Sequence, residues 1–76
     1  MPRYFFHEHV RGERTEDPRG TILSDDHAAR HQAVQRMPAN LKKAQLDAHD
    51  TYLATEVSNG NKTLFVVRGK VIVEQW

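Results

Sequence analysis

The chain has 76 residues, enough for one domain spanning residues 1–76 with a single small core. It contains no cysteine, which excludes disulfide staples and thiolate metal or redox sites, and no apolar run long enough for a membrane span or a secretory segment, so a cytoplasmic protein is expected. Eleven Lys and Arg against ten Asp and Glu leave a formal charge of +1 with both signs interspersed, short of the basic excess that marks a dedicated binder of nucleic-acid phosphates.

Residues 3–10 read as a strand, with Tyr4, Phe6 and Val10 on one side of a period-two pattern that Glu8 interrupts. Arg11 to Gly20 carries turn chemistry at Gly12, Asp17-Pro18 and Gly20, and a short second strand passes through Glu13–Glu16 or Thr21–Leu23. Ser24-Asp25-Asp26 then opens a helix, with Ser24 as the expected cap and two carboxylates where the helix dipole favours negative charge. Ala29, Ala33, Met37, Leu41, Ala44 and Ala48 form one stripe at about 100° per residue, with Val34 at its edge. The stripe crosses Pro38, so either one kinked helix over 25–48 or two helices meeting at Met37-Pro38 is expected.

From Thr51 onward the pattern becomes β. Leu53, Thr55 and Val57 alternate, Asn59-Gly60 is a hairpin signal, Leu64–Val67 is apolar, and Arg68-Gly69 offers a second tight turn before Val71–Val73. Two two-residue turns would pair Thr55 with Leu64 and Val66 with Val71. Leu53, Thr55, Val57, Leu64, Val66, Val71 and Val73 would then face the helix. Tyr52, Phe65, Val67, Ile72 and Trp76 would lie on the opposite face, along with Lys70 and Glu74. The predicted fold is a small α+β domain, β(β)αβββ, an antiparallel sheet with one helix packed on one face.

No catalytic constellation stands out, and a non-enzymatic protein without cofactor is expected. The pairs His7/His9 on a strand and His27/His31 on a helix have spacings that can hold a metal, but neither has a matching carboxylate, and surface imidazoles are the better reading. There is no Gly-x-Ser-x-Gly elbow, and the four glycines are isolated turn glycines rather than a phosphate-cradling loop. Asp25-Asp26 suits a helix start better than acid–base work, and Asp47/Asp50 a polar connection.

The opening Met1-Pro2-Arg3-Tyr4-Phe5-Phe6-His7, then Asp17-Pro18-Arg19-Gly20-Thr21-Ile22-Leu23 and the Asp-Ala-Ala-Arg-type helix start, resemble the DUF6894 family of short proteins common in rhizobia and related alphaproteobacteria. The likeness is strongest over residues 1–37 and returns at Glu56-Val57-Ser58-Asn59-Gly60. It implies a small α+β protein without assigned chemistry, and the layout is similar to that of small antitoxins and antiactivators that act by binding other proteins. The apolar runs of the last strands exceed what one helix can cover. The expectation is a protein-binding module, a regulator that sequesters a transcription factor through Tyr52, Phe65, Val67, Ile72 and Trp76. A homodimer through the same face, a nucleic-acid-binding accessory role using Arg68 and Lys70, and metal binding by the histidine pairs are the alternatives.

Overall fold

The computed structural model describes residues 2–44, 50–72 and 74. Elements run β1 (Arg3–Val10), β2 (Glu13–Thr15), β3 (Thr21–Ile22), α1 (Asp26–Ala44), β4 (Asp50–Ser58) and β5 (Thr63–Ile72). The sheet is antiparallel with order β2-β1-β4-β5, and β3 pairs with β1. The α+β class and one helix among the described residues agree with the sequence, and where one short strand was expected, at Glu13–Glu16 or Thr21–Leu23, a strand forms at each place.

Arg11 and Gly12 both take positive φ, 53° and 83°, the handedness that a two-residue turn between Val10 and Glu13 requires. The chain then returns along β1 in two pieces. Glu8 faces Thr15 and Tyr4 faces Thr21, so four steps of β1 stand against six of the returning chain, and the surplus bulges out around Asp17. Asp17 repairs the interrupted ladder. Its carboxylate accepts from the backbone amides of Phe6, Arg19 and Gly20 at 3.2, 3.2 and 3.0 Å. Burial pushes the Asp17 pKa up, but the amides of Gly20, Phe6 and Arg19 more than offset it and hold the carboxyl below its ordinary value. Gly20, at φ 70°, is required there, since a Cβ would stand 2.8 Å from the Tyr4 carbonyl oxygen.

The helix begins one residue later than expected. Asp25, not Ser24, is the cap: its Oδ1 accepts from the Ala28 amide at 2.8 Å, and Ser24 is exposed. Helix α1 runs unbroken through Pro38 to Ala44, so one helix rather than two carries the stripe; Ala48 lies outside the described residues. Ala29, Ala33 and Met37 are buried, and the two small alanines let the helix settle close to the sheet. Tyr4 fixes its start by donating from the phenol to Asp26 Oδ1 at 2.7 Å. That bond first, then burial and the nearby Asp26 and Asp25 charges, push the Tyr4 pKa up to about 12.

The C-terminal register corrects the expectation. Asn59 closes a longer loop than two residues, its Oδ1 accepting from the Asn61 and Lys62 amides at 2.9 and 3.0 Å, and a bulge follows at Val57/Ser58, where Val57 faces Phe65 but Ser58 faces Thr63. Thr55 therefore pairs with Val67, not Leu64, a slip of an odd number of residues that exchanges the faces of Phe65, Val66 and Val67, while Leu64 at the bulge still packs against the core and Ile72 stays on the side away from the helix. Phe65 and Val67 turn toward the helix and pack against the core of Tyr4, Phe6, Ala29, Ala33 and Val57, while Val66 is 41 % exposed on the other side.

The second tight turn is absent. β5 continues straight through Arg68-Gly69, so among the described residues two strands, not three, follow the helix. Gly69 is there for a different reason: a Cβ on it would lie 2.5 Å from Met37 Sδ and 2.9 Å from Leu41 Cδ1, so the bare backbone admits the helix.

Candidate functional site

Cross-strand pairing sorts the sheet into two faces. Phe6, Val57 and Phe65 form one row beneath the helix, and Glu8, Thr55 and Val67 the next. Glu8 sits in this layer because Thr55 donates to its Oε2 at 2.9 Å and Asn40 to its Oε1 at 3.4 Å, which satisfies a carboxylate at an apolar position. Arg36 lies 4.4 Å over the Phe6 ring and closes the core from the helix side.

Among the described residues no helix lies over the other face. Its rows are His7, Glu56 and Val66, then Arg14, His9, Ala54 and Arg68, then Tyr52 and Lys70. Toward its β1 end lies a polar cluster. Glu56 Oε1 is 3.0 Å from His9 Nε2 and 3.6 Å from Arg14 Nε, while Thr63 donates to Oε2. Hydrogen bonds from Thr63 and His9, with the Arg14 charge, outweigh burial and hold the Glu56 pKa down at about 2. His7 stacks on Phe5 with ring centroids 6.3 Å apart and 4° between planes, and its Nδ1 accepts from the Asp17 amide at 3.1 Å. That backbone donor fixes Nδ1 as the unprotonated nitrogen of the neutral ring.

Toward the β5 side the face changes character. Tyr52, Val66 and Ile72 are 58 %, 41 % and 51 % exposed, and Lys70 lies 5.3 Å over the Tyr52 ring. A groove of about 420 Å³ opens here beside the Arg11-Gly12 turn, with His9, Tyr52, Arg68 and Lys70 around the small Ala54. No carboxylate lines it among the described residues.

Of the five residues expected to form a partner surface, the structure places Tyr52 and Ile72 together on the open face. It moves Phe65 and Val67 beneath the helix, and Trp76 lies outside the described residues. Val66, expected in the core, joins the surface instead. His27 and His31 are exposed on the helix with Arg30 between them, and no group of three or more potential ligands converges among the described residues. No helix among those residues is long and apolar enough to cross a membrane.

The fold is thus a small α+β domain in which the helix covers one side of an antiparallel sheet and, among the described residues, nothing covers the other. The chain belongs to the DUF6894 family, a domain of unknown function whose model matches residues 3–68. No curated protein and no solved structure matches it. The matched span contains the Asp17 bulge, the helix cap and the Asn59 loop, which are structural devices.

Proposed function

We propose that the domain is a small non-enzymatic protein-binding module whose open sheet face and outer strand dock a protein partner, in the manner of a regulator that sequesters a transcription factor. The observation that carries this reading is the exposure of Tyr52 and Ile72, neighbours on the uncovered face, with Val66 exposed further along the same face of β5. They lie on the last two strands of the sheet order, beside the outer edge of β5. Exposed apolar and aromatic side chains next to a free strand edge are features that partner chains cover.

The polar cluster supports a binding role rather than catalysis. A carboxylate held at about 2 and satisfied by His9, Arg14 and Thr63 is too weak a base to move protons near neutral pH.

The test is capture from nuclease-treated cytosol with the full chain and with a Tyr52→Ala/Ile72→Lys variant, after thermal melts establish that both are folded. The reading expects a defined protein retained by the wild type and lost from the variant. Retention by both, or loss of all capture on nuclease treatment, contradicts it.

A further inference from the structure

The outer strand offers more than an apolar patch. β5 ends the sheet order, and among the described residues no strand lies along its outer edge. Alternate residues on its open side, Val66, Arg68, Lys70 and Ile72, are all exposed, so the strand shows an apolar, cationic, cationic, apolar sequence at a period of two. Arg68 has no ion-pair partner among the described residues, and Lys70 is engaged with the Tyr52 ring. The adjoining groove adds His9 and is free of described carboxylates.

We propose that the outer edge of β5 accepts an extended acidic peptide strand of the partner, with carboxylates opposite Arg68 and Lys70 and apolar side chains opposite Val66 and Ile72; this deepens the protein-binding reading and rests on it. An added strand would satisfy the outward amides and carbonyls of β5, and alternate side chains supply the specificity. In antiparallel register the matching pattern is apolar-x-acidic-x-acidic-x-apolar, since directly opposed cross-strand pairs interact most strongly.

Two other occupants fit less well. A nucleic-acid strand is held by many phosphate contacts, on the order of 6–10 in strong binders, whereas this strand presents two cations bracketed by aliphatic side chains. A second copy pairing β5 with β5 about Arg68, Gly69 or Lys70 would set Arg68 or Lys70 against a like charge.

The probe is a labelled nine-residue peptide with Val at the second and eighth positions, Glu at the fourth and sixth, and Thr elsewhere. A second peptide carries Lys in place of Glu, and an oligothymidylate serves as the third ligand. Titration of the full chain should show binding of the Glu peptide alone, and Arg68→Glu/Lys70→Glu should weaken it at least about tenfold while conferring binding of the Lys peptide. Equal binding of both peptides, or binding of the oligothymidylate without the Glu peptide, overturns the proposal. So does self-association that excludes the peptide. If the charge-reversed variant still captures the native protein partner at wild-type strength, this inference falls while the broader binding-module reading stands.

Discussion

Removing the Asp17 carboxylate should nearly unfold the domain, although the residue lies in a turn. Three backbone amides donate to it, those of Phe6 and Gly20 from part-buried positions and that of Arg19 from an exposed one. A hydrogen bond to a charged acceptor contributes about 1.5–3 kcal/mol, and the exposed Arg19 amide regains water, so Asp17→Ala should cost about 2–4 kcal/mol. A domain this short commonly has a net stability of only about 3–5 kcal/mol. Asp17→Asn keeps one acceptor oxygen but turns its amide toward a backbone donor, and should cost about 1–2 kcal/mol. The pH dependence has a definite sign. Because the folded-state pKa is lowered, the charged group's contribution is complete above the ordinary carboxylate range and is lost as pH falls through the lowered value, so the gap between wild type and Asp17→Asn should narrow on acidification. Urea unfolding at several pH values reads all three quantities. An Asp17→Ala midpoint equal to that of the wild type would mean that the carboxylate does not hold the bulge together.

Gly20→Ala should destabilise by about 2 kcal/mol or more, because a left-handed alanine costs about 1–2 kcal/mol before its Cβ meets the Tyr4 carbonyl; thermal melts give the shift. Half-buried Phe65 should cost about 2 kcal/mol on truncation to Ala, below the range for a fully buried ring, whereas Val66→Ala should stay within about 0.5 kcal/mol. Denaturant unfolding of that pair reports the register of β5 directly. Asp25→Ala should cost about 0.5–2 kcal/mol as loss of a helix cap, and Ser24→Ala, at an exposed residue, should leave the urea midpoint where it is.

Much of the fold was legible because its signals are local. The Tyr4/Phe6 alternation placed β1, and the Ala29, Ala33, Met37 stripe placed the helix and its buried face. The error in β5 has a physical origin that pattern reading misses. Asn59-Gly60 invites a two-residue turn, but the Asn59 side chain draws in the Asn61 and Lys62 amides and lengthens the loop, and the bulge after it adds a further residue. An odd slip exchanges the faces, so Phe65 and Val66 traded places. Gly69 was similarly ambiguous, since a glycine in a strand signals either a turn or a close approach, and only Met37 and Leu41 above it decide which. The Glu56 cluster joins residues from β1, β2, β4 and β5, a coincidence of register with no local motif. Glu8 at a core position was the one sequence hint of polar pairing, and Thr55 across the strand answers it.

Whether β5 is an edge strand open to a partner peptide is read by residue-resolved amide hydrogen exchange on the full chain, with and without the Glu peptide. Alternate amides of Thr63–Ile72 should exchange quickly in the free chain, while those paired with β4 are protected, and the peptide should slow the fast set without altering β1. Uniform protection along β5 in the free chain, or slowing confined to the outer surface of α1, would contradict an open β5 edge.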